Sequence, residues 1–216
     1  MLICGIDEAG RGPVIGPLVT AGVLIEEKDQ DKLKALGVKD SKLLTPEQRE
    51  VLFKKIIAVV KDYTIKIIQP FQIDAALNDP DSNLNWLEAD TMAGITNELK
   101  PDKVIVDCPS NNIKSFTDYL KKKVKTKTEI IAEHKADFKY PVVSAASILA
   151  KVTRDGEIEK IKHKIKEDIG SGYPADPTTQ EFLKKNYKKH PDIFRKTWAS
   201  YLRLTETKKQ KSLKDF

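Results

Sequence analysis

The chain has 216 residues, 40% hydrophobic and 32% charged, enough for one domain with a real core, alone or with an appendage; collagen, a long coiled coil and wholesale disorder are excluded. The formal net charge is +6, but the excess is local: residues 184–216 hold eleven Lys or Arg against three acids, which leaves the preceding part mildly acidic. No apolar run approaches the roughly 20 residues of a bilayer crossing, Met1–Ile6 lacks a basic flank and reaches Asp7 and Glu8 too soon for a secretory leader, and two cysteines make no disulfide framework, so a cytoplasmic protein without membrane contact is expected.

In chain order, the spacing predicts a strand at Leu2–Asp7 and a second at Leu18–Glu26, joined by a Gly/Pro-rich segment, Gly10 to Pro17, short enough for an antiparallel hairpin. Thr45-Pro46-Glu47-Gln48 combines an N-cap, proline at the first helical position and Gln three residues on, so a helix is expected from there to about Lys61. A strand at Tyr63–Gln69 follows, then a helix over Asn83–Leu99 with Leu84, Leu87, Thr91, Ile95 and Leu99 roughly on one stripe. Strands at Val104–Cys108 and Glu129–Ala132 flank a helix at Ile113–Lys123. A long helix from Pro141 to about Glu167, with a kink at Gly156, leads to a loop at Asp168–Pro177 and helices at Thr178–Lys189 and Phe194–Lys209. Alternation of strand and helix after the third strand favours parallel pairing through right-handed crossovers, so an α/β core with an all-helical C-terminal extension is expected.

Three anchors carry candidate chemistry. Asp7-Glu8-Ala9-Gly10-Arg11-Gly12-Pro13 ends the first strand; alternation puts Asp7 and Glu8 on opposite sides unless the backbone bends. Gly10 and Gly12 let main-chain N–H groups approach a ligand, and Arg11 can pair with phosphate, although acid-plus-glycine clusters are also ordinary turn chemistry. Asp107 closes the continuously apolar run Val104-Ile105-Val106, at the carboxyl end where open α/β sheets place their sites; its alternative is a helix cap. If that strand lies parallel to the first, Asp7 and Asp107 share one sheet edge and repel unless a proton or cation intervenes, and oxygen-only donors favour Mg²⁺ or Mn²⁺ over zinc. Asp137 lies before the helix opened by Pro141, whose Ser144, Ser147, Lys151 and Arg154 form a polar stripe suited to a phosphodiester track or to a solvated flank. Asp40-Ser41-Lys42 places a lysine on a loop, and Tyr173 in Gly-Ser-Gly-Tyr-Pro is placed to stack on a base or sugar. A zinc set of Cys4, Cys108 and His134 matches no zinc spacing, and Cys4 faces away from Asp7.

Together the blocks DEAGRGPVIGP (7–17), DSK (40–42), VDCPS (106–110), EHKADFKYPVVSAASILAKVTRD (133–155) and GSGYPADP (170–177) resemble the type 2 ribonucleases H, specifically the archaeal form of the ribonuclease HII family. The resemblance implies a ribonuclease H-like fold, a five-stranded mixed sheet flanked by helices, with residues 1–170 as the catalytic domain and 171–216 as a helical substrate-binding extension. It implies two Mg²⁺ or Mn²⁺ ions held by Asp7, Glu8, Asp107 and Asp137, and hydrolysis of the RNA strand of RNA/DNA hybrids, leaving a 3′-hydroxyl and a 5′-phosphate. Cutting at the 5′ side of a single ribonucleotide in duplex DNA, and hence a part in replication and ribonucleotide excision repair, follows from the same likeness. Gly10, Arg11, Gly12 and Tyr173 match the elements that recognise the ribose 2′-hydroxyl, and Lys42, Lys151 and Arg154 match positions implicated in substrate phosphates; Ser144 joins them from the polar stripe. A monomer is expected, with a replication-clamp contact through the basic tail as a further expectation. The rival readings are a transposase- or resolvase-like nuclease on the same fold and a non-catalytic nucleic-acid-binding module.

Overall fold

The computed structural model describes residues 1–38 and 44–212, with side chains as far as Glu206; Asp40, Ser41 and Lys42 lie outside the described residues. Two compact units emerge, one made of Met1–Ala9, Val19–Ile67 and Leu84–Arg154, the other of Gly10–Leu18, Ile68–Asn83 and Asp155–Phe216. The strands are β1 (Leu2–Ala9), β2 (Leu18–Glu26), β3 (Asp62–Ile68), β4 (Lys103–Asp107) and β5 (Glu129–Glu133). The helices are α1 (Gln30–Ala35), α2 (Pro46–Val59), α3 (Pro70–Asn78), α4 (Leu84–Leu99), α5 (Ile113–Lys123), α6 (Ala136–Lys139), α7 (Pro141–Ile165), α8 (Pro177–Asn186) and α9 (Ala199–Ser212).

The first unit is built on a mixed five-stranded sheet in the order β3-β2-β1-β4-β5. β1 runs antiparallel to β2 and parallel to β4, and β4 runs parallel to β5. Because the sheet is covered on both faces, β1 and β4 carry unbroken runs without a charged residue, Leu2 to Ile6 and Val104 to Val106, and alternation sorts their residues between two cores. Ile3 and Ile105 join Val142, Val143 and Ala146 of α7, whereas Cys4, Ile6, Val104 and Val106 join Met92 and Ile95 of α4 and Phe116 and Leu120 of α5. At Gly5 the start of α7 comes so near that an added Cβ would lie 2.4 Å from the Val142 carbonyl carbon and 2.5 Å from the Val143 nitrogen.

The expected elements are present, with ends shifted by a few residues. The predicted capping box of α2 is formed: Gln48 N–H donates to Thr45 Oγ1 at 3.3 Å and Thr45 N–H to Gln48 Oε1 at 2.8 Å. Helix α3 was not expected, because its cap is Gln69 paired with Gln72 rather than a short Ser, Thr, Asp or Asn. The long helix α7 passes through Gly156 without a break and ends one residue before Lys166, which takes a left-handed φ of 59°. The last helix starts at Ala199 rather than Phe194, since Ile15 and Phe194 form a β-bridge and Asp74 takes the amides of Lys196 and Thr197 at 2.9 and 3.0 Å.

The second unit has its own core, in which Val14 and Ile15 pack with Ile158, Ile169, Phe182, Leu183 and Phe194. No helix among the described residues is long and apolar enough to cross a membrane.

Replacing Gly5 by Ala drives a methyl into backbone that has no rotamer to move, whereas a Cβ on Gly94, within α4, meets nothing within 4 Å. Urea denaturation should find Gly5→Ala destabilised by about 2 kcal/mol or more and Gly94→Ala neutral or stabilised by about 0.5 to 1 kcal/mol. Equal effects would contradict the packing described.

Candidate active site

The register of β1 against β4 runs from Ile3 opposite Lys103 to Ile6 opposite Val106, and continuing it by one residue brings Asp7 to Asp107. Both carboxylates belong to the odd-numbered face, the face that packs on α7. β5 continues the ladder, pairing Glu133 with Asp107, and the chain then turns through Lys135, which has a φ of 57°, into the single-turn helix α6 that carries Asp137. The result is a cluster in which oxygens of Asp7, Asp107 and Asp137 all lie within 4.8 Å of one another, Asp7 and Asp137 buried and Asp107 partly so.

Such a cluster must be held against its own repulsion. The Glu8 amide donates to Asp7 Oδ1 at 2.8 Å, and the Ala136 amide donates to Asp107 Oδ1 at 3.2 Å. Ser147, one turn along α7 from Val143, donates to the Asp7 carboxylate while its own oxygen accepts from Lys151 Nζ at 2.8 Å. Burial pushes Asp7 up to about 7, against the lowering effect of the Ser147 hydrogen bond and with the help of the Asp107 charge. Three converging oxygen donors with no thiolate or imidazole among them fit a hard divalent ion such as Mg²⁺ or Mn²⁺.

Glu8 is not a member of that three-residue group; it follows Asp7 on β1, which keeps its register with β2 through Glu8 opposite Thr20 and Ala9 opposite Val19. Ser144, expected among the substrate contacts, is buried, and its hydroxyl donates to the Val38 carbonyl, so it ties α7 to the segment after α1. Lys151 is partly buried beside Ser147 and Arg154 is buried; Lys42 lies outside the described residues. The cysteines are free and buried, His134 Nδ1 sits 3.1 Å from the Cys108 carbonyl, and neither cysteine joins a metal-holding group among the described residues. Sequence reasoning noted Ser147 within the stripe but missed its bond to Asp7, because a three-residue step shows a shared face and not what that face meets.

In the second unit Gly10, with a φ of 85°, opens the Gly10-Arg11-Gly12 loop. A Cβ on Gly12 would sit 3.4 Å from Tyr173 Cε1, so the loop and the tyrosine ring are in van der Waals range, and the ring is 41% exposed. The tyrosine loop is organised by Asp176, which accepts from Ser171 N–H at 2.6 Å, Ser171 Oγ at 2.7 Å and Thr178 N–H at 2.9 Å. Those donors, the Ser171 amide first, hold its carboxyl down at about 2. Gly170 is required there: with a φ of 67°, its Cβ would lie 2.6 Å from Asp176 Oδ2 and 2.9 Å from the Thr179 nitrogen.

The family model for ribonuclease HII matches residues 4–201. The chain is 49% identical to ribonuclease HII of Pyrococcus furiosus over 216 residues, covering 98% of this chain and 94% of that protein. Among solved structures it resembles ribonuclease H2 of Pyrococcus horikoshii OT3, with a TM-score of 0.88 and 47% identity over 96% of this chain and 98% of that one. It also resembles the ribonuclease HII of a complex with PCNA from Archaeoglobus fulgidus, with a TM-score of 0.84 and 40% identity over 92% of this chain and 95% of that one. The mixed sheet and its helices therefore form the ribonuclease H-like fold.

With Asp7 titrating near 7 when folded and at 3.8 in the ordinary case, the folded chain binds the extra proton between those values, so this contribution to stability is complete below pH 4 and is lost as pH rises toward 7. Urea midpoints in EDTA should show Asp7→Asn more stable than the parent at pH 8, by up to about 4 kcal/mol, with the gap closing toward pH 4. A gap that is independent of pH would remove the account of Asp7 as an acid raised by its burial and, in lesser part, by the Asp107 charge.

Proposed function

The chain belongs to the ribonuclease HII family and is a ribonuclease H, and from that premise we propose that it cuts the RNA strand of RNA/DNA hybrids and the 5′ side of single ribonucleotides embedded in DNA by two-metal-ion hydrolysis. The convergence of Asp7, Asp107 and Asp137 carries this reading. These three, with Glu8 as the fourth carboxylate named by the family resemblance, would hold the Mg²⁺ or Mn²⁺ ions. When bound, the ions supply activation of water at neutral pH and charge stabilisation at the departing 3′-oxygen.

The side chains of the site are there to bind and orient. No Ser, Cys or His nucleophile is called for, and the buried acids exclude phosphate until their charge is offset. Lys151, beside Ser147, and Arg154 supply positive charge on the same helix as Ser147, and Lys42 is proposed as a further phosphate contact. The Gly10-Arg11-Gly12 loop with Tyr173 is proposed to read the 2′-hydroxyl, the donor and acceptor that DNA lacks. Residues 171–216 are proposed to act as the substrate-binding extension, their lysines tracking the phosphate backbone. Since the Archaeoglobus fulgidus relative was solved as a complex with PCNA, the tail beyond Thr207 is proposed to contact a sliding clamp here as well. Two buried free thiols suit the reducing cytoplasm, where we place the protein.

The deciding assay uses a DNA duplex with one embedded ribonucleotide, with Mg²⁺ and with EDTA. Cleavage should require the metal, and the all-DNA duplex should stay intact, which a transposase-like nuclease would not respect. Asp107→Asn should lower kcat by roughly a thousandfold or more while duplex binding is kept or tightened, as a repelling charge is gone. Tyr173→Ala should slow the junction cut by about tenfold, the scale of one lost stacking contact. Metal-dependent turnover retained in Asp107→Asn would refute the reading. Truncation after Thr207 should weaken duplex binding and flatten its dependence on log salt; an unchanged slope would free the tail of that role.

A further inference from the structure

Arg195 is the largest fully buried side chain among the described residues, at 0% exposure, and its guanidinium donates to three backbone carbonyls. Nη2 donates to the Gly10 carbonyl at 2.6 Å, Nη1 to the Arg11 carbonyl at 2.9 Å and Nε to the Gly16 carbonyl at 3.0 Å. The next carbonyl of the loop, that of Gly12, accepts from the Trp198 indole Nε1 at 3.0 Å, and the guanidinium lies over the same indole at 4.8 Å from the ring centre. One arginine and one tryptophan therefore take three successive carbonyls of Gly10-Arg11-Gly12.

That arrangement has a stereochemical consequence. A trans peptide points its N–H opposite its C=O, so pinning the Gly10 and Arg11 carbonyls toward Arg195 directs the Arg11 and Gly12 amides away from it. Gly12 is also the residue within reach of the Tyr173 ring. The tyrosine loop is stitched to the same segment, the Gly172 carbonyl accepting from the Val14 amide at 2.8 Å. The pinning pair is itself anchored: Asp74 takes the Lys196 and Thr197 amides and the Thr197 hydroxyl, the last at 2.7 Å, and the Arg195 amide donates to the Val14 carbonyl at 2.9 Å. A guanidinium suits the task because its planar fork reaches three oxygens at once, which a lysine ammonium on a flexible stem does not.

We propose that Arg195, assisted by Trp198, is the specificity-determining positioning residue for ribose recognition: it touches no substrate, and by holding three carbonyls it presents two main-chain amides beside Tyr173 to the 2′-hydroxyl of a ribonucleotide. The proposal deepens the reading of the Gly-Arg-Gly loop given above and rests on it. It locates the discrimination between ribose and deoxyribose in a buried cation far along the sequence from the loop it serves.

The test is the ratio of affinities for two fluorescein-labelled duplexes, one with a single ribonucleotide and its all-DNA counterpart, with Ca²⁺ replacing Mg²⁺ to prevent turnover. Trp198→Phe keeps an aromatic face under the guanidinium and removes only the indole donor; Arg195→Lys keeps the charge and removes the fork. Trp198→Phe should lower the ribo-to-deoxy ratio by about fivefold and Arg195→Lys should bring it close to one, while affinity for the all-DNA duplex stays within about twofold of the parent. Thermal denaturation of both variants identifies any that fails to fold, and the milder Trp198→Phe decides the matter if Arg195→Lys does. An undiminished ratio in a folded variant overturns the proposal, as does an equal loss on both duplexes, the mark of a purely structural role. A parent protein with a ratio near one would instead overturn the assignment of the loop as ribose reader, and the proposal with it.

Discussion

Mutual repulsion among buried aspartates is the constraint on which the first unit depends. With Asp7, Asp107 and Asp137 oxygens within 4.8 Å, each ionised pair opposes the fold by about 3.5 kcal/mol at an effective dielectric of about 20. What keeps them together is backbone. The parallel ladder of β1 and β4 fixes two of the three, and the turn after β5 fixes the third. The amides of Glu8 and Ala136 and the Ser147 hydroxyl each put a donor on a carboxylate, without cancelling the charge. Burial first, and the Asp107 charge with it, push the Asp7 carboxyl up to about 7, and a divalent cation is another way to offset the remaining charge. Gly5, two residues before Asp7 on the same face, permits the close approach of α7 that delivers Ser147.

The second unit solves a different problem by different means. A loop of Gly, Arg and Gly has no ladder to hold it, and its glycines widen the conformations open to the unfolded chain. Its order comes from side chains that capture its main chain: Arg195 and Trp198 donate to one carbonyl after another, and in the segment that bears Tyr173 Asp176 accepts from the Ser171 amide and Thr179 Oγ1 from the Gly172 amide, the latter at 2.9 Å. Burial of the guanidinium is tolerable because its donors are matched by oxygens.

What the sequence disclosed, and what it withheld, follows from how far each feature reaches. The five strands and the α2 capping box are local patterns of alternation and of residues three apart, and they were legible. That Asp7 and Asp107 would share an edge was legible on one condition, that the second strand lay beside and parallel to the first; its continuous apolar run ending in an acid pointed to an interior parallel strand. Asp137 was placed by its position after a strand and before a helix. Helix α3 was hidden because Gln69 is an uncommon cap, and the start of α9 was misread because helical periodicity continues back through Phe194 and Arg195 while Asp74, more than a hundred residues away, ends it. Ser144 read as surface because a stripe shows only which residues share a face. Arg195 carried no signal at all: in one dimension a buried arginine bound to carbonyls is indistinguishable from a solvated one.

Recognition by main-chain amides, as proposed for the Gly-Arg-Gly loop, would have a further physical meaning for an enzyme of this family. An amide reads a hydroxyl and is blind to the base above it, so a loop held by its own carbonyls discriminates sugar without discriminating sequence. On that reading affinity must come from elsewhere, because the acids proposed to serve hydrolysis repel a phosphate backbone. On the function proposed, the charge distribution supplies it: the chain is mildly acidic over most of its length, and its basic excess is gathered in the last part, where eleven Lys or Arg stand against three acids. Phosphate contacts of that kind are indifferent to both base and sugar. On the function proposed, chemistry, sugar reading and affinity would rest on carboxylates, amides and basic side chains respectively, three kinds of group whose energies respond to different variables: divalent metal, the presence of a 2′-hydroxyl, and salt. A substitution in one is therefore expected to leave the other two responses in place, which is what makes their contributions separable by titration as well as by mutation.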